Sequence, residues 1–190
     1  MAIFDKIFIE DYFDGKKQDI IGAIYKVEAY VLVNPNLVEE LTDRFKVNSP
    51  VLIKSKIETK IIEAFKEGRR GDRPYEIGRY IIPFEGEAEM FNAVINHSQP
   101  LAGQIKGKTI EFDIDSDGLM SNSQELRKNV AKIAQNVIDE IERRLLRISE
   151  AVEIFNNELP AYISNVIGER NAEIEAKKKN EDDINPYKKG

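Results

Sequence analysis

The feature that most constrains this fold is a long apolar stripe at helical spacing, between about residues 122 and 159. Its apolar positions recur every three or four residues, as on one face of an amphipathic helix. They are Leu126, Val130, Ile133, Val137, Ile141, Leu145, Ile148, Val152, Phe155 and Leu159. Such a helix would be roughly 55 Å long, which is longer than a compact domain of this size is wide. We therefore expect it either to support the shorter elements or to project from them toward a partner.

Composition narrows the function classes. With 190 residues, the chain suits one domain plus an extension. We expect a single domain over residues 1–176 and a polar tail or linker over 177–190. The net charge of −6 argues against a general nucleic-acid binder. The chain has no cysteine, which excludes disulfides and thiol nucleophiles. Acidic residues stand where a signal peptide needs basic ones, so a cytoplasmic location without membrane contact is expected.

The order of the patterns predicts an α+β protein. Residues 1–48 read as helical, with a break at Asp14-Gly15, a helix from Lys17 to Val33 and a short helix capped by Asn36. Residues 3–13 fit a terminal helix, although Phe4 to Ile9 also fits a strand. Residues 50–115 predict a small antiparallel sheet, with strands at 50–62, 75–84 and 104–115. Residues 122–176 predict a pair of long helices, divided at Asn156-Asn157.

One acidic segment has the opening of a calcium-binding loop. Asp113, Asp115, Asp117 and Gly118 form the pattern D-x-D-x-D-G, in which three carboxylates can converge on one cation. Against this interpretation, the twelfth position is Gln124 instead of glutamate, and the preceding element reads as a strand. The alternative is an acidic strand end and turn that lead into the long helix, with Asn122 or Ser123 as its cap. Calcium is the only cofactor that the sequence suggests.

A second candidate is the basic turn between the first two predicted strands. It carries Arg69, Arg70 and Arg73 in a segment that is interrupted by glycines. Flexible arginines can bind phosphate or carboxylate groups, so a ligand or nucleic acid could contact the chain here. A solvated hairpin tip is the alternative. The segment 102–109 also fits a relaxed phosphate-loop pattern, but a strand follows it instead of a helix, so we expect a chance match.

Two short motifs carry a resemblance to a known group of proteins. They are the residues PFEGEAEMF at 83–91, which close a strand, and IFNNELP at 154–160, with Arg170 further on. Together they resemble a bacterial region that lies N-terminal to TIR-like or nuclease-like effector domains in proteins linked to phage defence. The resemblance covers roughly residues 50–175 and implies a sensing, scaffolding or oligomerising part with its effector missing. It carries no catalytic residue over to this chain. The polar segment after Lys177 would then begin a linker to an effector.

These observations favour a non-catalytic interaction or regulatory domain. We expect the stripe, in particular Ile141, Leu145, Ile148 and Val152, to assemble with a second copy or with another protein. The first alternative is a calcium-dependent binding protein that uses the acidic loop. The second is a ligand or nucleic-acid binder that uses the arginine turn.

Overall fold

A computed structural model describes residues 2–67, 73–94, 99–116, 118–184 and 187. The protein is α+β, as predicted, with three α-helices and mainly antiparallel strands in the described residues. The sequence suggested one domain, but the contacts divide the chain into two compact units. The first unit comprises Met1–Ile9 and Asn48–Ala151, and the second comprises Glu10–Val47 and Val152–Gly190.

The first unit is built on a five-stranded antiparallel sheet. Its long central strand β5 pairs on one edge with β3 and β4, and on the other edge with β9, which pairs with β8. The strands are β3 (Val51–Leu52), β4 (Glu58–Lys66), β5 (Arg73–Glu85), β8 (Gln104–Lys106) and β9 (Thr109–Asp115). The predicted strand pairing is therefore confirmed.

Four short strands complete this unit. They are β1 (Ala2–Ile3), β2 (Ile7–Phe8), β6 (Ala93–Val94) and β7 (Leu101–Ala102). β1 pairs with β7 in antiparallel and β2 pairs with β6 in parallel. The N-terminus thus begins with the strand alternative that the sequence left open.

The predicted strand over residues 50–62 is interrupted. Between the pairs Leu52↔Phe84 and Glu58↔Ile81, five residues of one edge stand opposite two residues of β5. The three additional residues are taken up by a 3₁₀ turn, Lys54–Lys56. One of the two residues opposite the interruption is Pro83, which has no N–H to donate to a ladder. A period-two pattern alone does not reveal such an insertion.

The second unit contains α1 and α2 and the C-terminal part of α3. The helix α1 (Ile9–Tyr25) continues through the expected break at Gly15, because one glycine costs a helix only about 1 kcal/mol. It ends before the predicted Val33, in turns that bury Leu32. The helix α2 (Leu37–Phe45) forms as expected, but Asn36 does not cap it through its side chain.

The predicted pair of long helices is a single helix, α3 (Gln124–Ile184). Asn156 does not end a helix, because its side chain is bonded to the backbone of Val47. The Asn156 amide oxygen accepts from the Val47 N–H at 3.0 Å, and its nitrogen donates to the Val47 carbonyl at 2.9 Å. Pro160 lies inside the helix, and the helix continues beyond Lys177. The prediction of a break at Asn156-Asn157 was therefore wrong, and the polar segment after Lys177 is helical as far as Ile184.

The stripe residues of α3 are core residues. Ile141, Leu145, Ile148 and Val152 are all buried within one chain, as are Val130, Phe155 and Leu159, whereas Leu126 and Val137 are half-buried and Ile133 is exposed. In the first unit, the core also includes Phe91 and other large residues of the sheet and its connections. Those are Phe4, Ile82, Phe84, Met90, Ile110 and Phe112. Burial of this apolar surface is the main term that holds the long helix in place.

Candidate functional sites

At the acidic end of β9, Asp113 forms an ion pair with Arg79. Both carboxylate oxygens of Asp113 accept hydrogen bonds from Arg79 on the neighbouring strand, each at 2.8 Å. This bidentate pair lowers the pKa of Asp113 below its usual value. Asp115 lies exposed at the end of β9, and Asp117 falls outside the described residues. Among the residues that the structure describes, no cluster of three or more metal-ligating side chains occurs.

The turn after β9 is held by protein groups. The Ser116 hydroxyl donates to the Glu76 carbonyl at 2.6 Å, and the buried Glu76 carboxylate accepts from the Ser121 N–H at 2.8 Å. The Ser123 hydroxyl then accepts from the Leu126 N–H at 3.3 Å, which caps the start of α3. These contacts match the alternative interpretation, a strand end and turn that lead into a capped helix.

The arginine turn is only partly described. Arg69 and Arg70 lie outside the described residues, and Arg73 is an exposed residue that begins β5 opposite Lys66. The relaxed phosphate-loop match ends in a hairpin turn between β8 and β9. Gly107 has a φ of 58° there, and no helix follows it. That match is therefore a hairpin, as the following strand indicated.

The stripe does not offer a free surface for assembly at the four residues that were expected to provide it. Ile141, Leu145, Ile148 and Val152 are covered by the chain's own side chains. This corrects the expectation, because the periodicity of a helix shows which face is buried and does not show what buries it.

The sheet of the first unit has an open edge at β4 in the described residues. Strand β4 is nine residues long, and within the described part of the chain it pairs only with β5. Its side chains Ile61 and Phe65 are 54% and 66% exposed. An unpaired strand edge presents N–H and C=O groups to any extended chain that approaches it. Proteins usually protect long edges with charged side chains, proline, bulges or cover. β4 contains neither proline nor glycine, and its charged residues are Glu58, Lys60, Glu63 and Lys66.

A pocket on α3 was not recognised in the sequence. Glu140 precedes Arg143 and Arg144 by three and four residues, and Arg147 follows them by four and three, so these spacings place the four side chains on one side of the helix. With Phe4, Ala93 and Ile148 they line a cavity of about 60 Å³. The signal was the segment EIERRLLR at 140–147, which contains three arginines and two glutamates. The prediction for this part of α3 used only its apolar periodicity and therefore did not include these charged residues.

Glu140 organises the arginines of this pocket. Its carboxylate accepts from Arg144 Nε at 2.8 Å and also from the Arg143 guanidinium. The bond from Arg144 and the charges of the nearby arginines lower the pKa of Glu140. Arg144 lies over the Phe4 ring, with 5.4 Å between its guanidinium carbon and the ring centroid. The carboxylate is thus ionised at neutral pH and holds two guanidinium groups in fixed positions.

No family model matches this chain, and neither a curated protein nor a solved structure shows significant similarity to it. Within the described residues, no helix has the length and apolarity that crossing a membrane requires.

Proposed function

We propose that this chain is a non-catalytic interaction domain that assembles with a second copy of itself through the open edge formed by β4. The observation that carries the proposal is a nine-residue edge strand with one free side and two exposed large apolar residues, Ile61 and Phe65. Addition of a strand to such an edge makes a row of main-chain hydrogen bonds, and side chains on both faces select the partner.

The sequence of β4 is complementary to itself in one antiparallel register. Around a twofold axis at Ile62, Glu58 of each copy stands opposite Lys66 of the other. On the same face, Ile62 meets its own counterpart at the centre. Opposite charges and apolar pairs in direct opposition each contribute roughly 0.2–1 kcal/mol. The symmetry supplies the Glu58–Lys66 pair twice.

The other face of the strand agrees with the same register. Ile61 of one copy would lie diagonally beside Ile61 and Phe65 of the other, which would cover the two exposed apolar side chains. A shift that centres Glu63 would instead place two carboxylates in direct opposition. The exposed residues and the charges therefore favour one register, which is what a specific interface needs.

A charge exchange tests this proposal. Glu58→Lys alone and Lys66→Glu alone each convert two attractive pairs of the dimer into two repulsive ones. Each is expected to weaken dimerisation about tenfold or more, measured by sedimentation over a range of concentrations. The double variant restores opposite charges and is expected to recover the affinity of the unmodified chain. Lys132→Glu is the matched control, because it makes the same change of charge at an exposed lysine that lies on α3 and not on β4.

Two results would contradict the proposal. One is a chain that remains monomeric at every concentration, which would leave the edge to a different partner. The other is a double variant that stays as weak as either single variant, because this would exclude the register. Since both positions are exposed, a change in folding is not expected to confuse the comparison.

The wider biological setting stays a prediction. The resemblance to a region N-terminal to TIR-like or nuclease-like domains would make an assembling chain of this kind the regulatory part of a defence effector. A cytoplasmic location would fit that role. Expression of the chain in fusion with such an effector, with and without Lys66→Glu, tests whether assembly controls the effector.

A further inference from the structure

We infer that the arginine pocket on α3, formed by Arg143, Arg144 and Arg147, binds a phosphate group. This inference is independent of assembly through β4 and adds a ligand site to the first unit. The inference rests on three observations at the same place on α3: a buried hydrogen-bond donor, an excess of positive charge and a cavity.

The buried donor belongs to Arg144. Its side chain is 12% exposed, and its Nη1 atom is buried without an acceptor among the described residues. Its Nε is already used by Glu140. A buried guanidinium N–H that lacks an acceptor costs free energy, so the positive charge of Arg144 is held beside the cavity at a cost that a bound anion would offset. Arg144 is held between Glu140 and the Phe4 ring, so the donor is fixed before a ligand arrives.

The charge of the pocket matches a phosphate group better than a carboxylate. Three guanidinium groups face one carboxylate, that of Glu140, which leaves an excess of about two positive charges. A phosphomonoester carries between about −1.5 and −2 at neutral pH. Arg147 has no ion-pair partner in the described part of the chain, and Arg143 is mostly exposed at the opening. Both are placed to close on an anion that enters from solvent.

The size and the wall of the cavity limit the ligand. A volume of about 60 Å³ is roughly that of two water molecules, so it accepts the anionic group and leaves any substituent outside. The wall opposite α3 is Phe4, a buried residue with a φ of 59°, a conformation that bulky residues rarely adopt. The Phe4 N–H donates to the Phe91 carbonyl at 2.6 Å, which holds the ring under Arg144.

Calorimetric titration of the full chain with inorganic phosphate, at constant ionic strength, tests this inference. Saturable binding is expected, and Arg147→Gln and Arg143→Gln are each expected to weaken it about tenfold. Lys132→Gln, which removes one exposed charge from the same helix away from the pocket, is expected to leave it unchanged. A parallel titration with glycerol phosphate distinguishes a phosphate ester from free phosphate, because the ester binds more tightly only if its substituent contacts the opening.

Three results would overturn the inference. Binding that is not saturable would mean general ionic attraction. Equal binding to the unmodified chain and to Arg147→Gln would place the anion elsewhere. Acetate that binds as tightly as phosphate would show that the excess of charge does not select a phosphate group. Since Arg147 is exposed, its replacement is expected to preserve the fold, which a melting curve of each variant checks.

Discussion

The bond between Asn156 and Val47 makes a sharp prediction about why α3 is one helix. Val47 is 2% exposed, so Asn156→Ala would leave its N–H and its carbonyl buried without partners. Each such group costs about 1–3 kcal/mol. Replacement of asparagine by alanine within a helix returns up to about 0.7 kcal/mol. The two groups together cost about 2–6 kcal/mol, so the net loss in the free energy of unfolding is expected to be at least about 1 kcal/mol and at most about 6 kcal/mol.

Asn157→Ala is the matched control in this experiment. Asn157 is the next residue of the same helix and is exposed, so its replacement keeps only the gain in helix propensity. Urea unfolding followed by circular dichroism should move to a lower midpoint for Asn156→Ala, by roughly 1 M, and slightly upward for Asn157→Ala. If Asn157 instead capped a second helix, its loss would cost about 0.5–2 kcal/mol. A reversed order of the two variants would thus refute the reasoning.

Three further predictions concern the glycines and the acidic strand end. Gly86→Ala is expected to lower the free energy of unfolding, measured in urea, by about 2–4 kcal/mol, because the φ of Gly86 is 92° and an added Cβ would meet neighbouring backbone atoms. Gly15→Ala is its counterpart: an added Cβ in α1 would meet open space, so the free energy of unfolding should rise by about 0.5–1 kcal/mol. The Asp113 pKa is lowered by Arg79, so its contribution to stability is present above the unfolded pKa and is lost as pH falls through the folded pKa. Stability measured from pH 7 to pH 3 should therefore decline less in Asp113→Asn, and an equal decline would refute this. Calcium is expected to leave the melting temperature of the unmodified chain and of Asp115→Asn unchanged, and a calcium-dependent rise that Asp115→Asn abolishes would restore the calcium interpretation.

Local patterns predicted most of the elements of this fold. The stripe located α3, and alternation located β5 and β9, because the burial of one face imposes a period on each of them. The patterns could not predict where elements end. Asn156-Asn157 and Pro160 have the composition of a break, but a tertiary bond to Val47 and packing on both sides keep the helix continuous. Similarly, the insertion opposite Pro83 depends on its partner strand and not on its own sequence.

The candidate sites were harder to predict for a related reason. The spacing of Asp113, Asp115 and Asp117 suited a cation. It could not show that Arg79 on the neighbouring strand donates two hydrogen bonds to the Asp113 carboxylate. The arginine pocket needs Phe4 and Ala93, which are far from α3 in the sequence. The open edge of β4 could not be predicted either, because the sequence of a strand does not show whether another element pairs with it. All three are properties of tertiary contacts.

The most direct test of assembly through β4 is a cross-link at its centre. The chain has no cysteine, so Ile62→Cys introduces the only thiol. In the proposed register the two copies of position 62 stand directly opposite each other, about 4.5–5.5 Å apart between Cα atoms, which is within the range of a disulfide. At Thr59→Cys the two thiols would be about 20 Å apart along the strands. We predict a disulfide-linked dimer for Ile62→Cys under mild oxidation and none for Thr59→Cys. Absence of the first, or equal cross-linking at both positions, would contradict assembly through this edge.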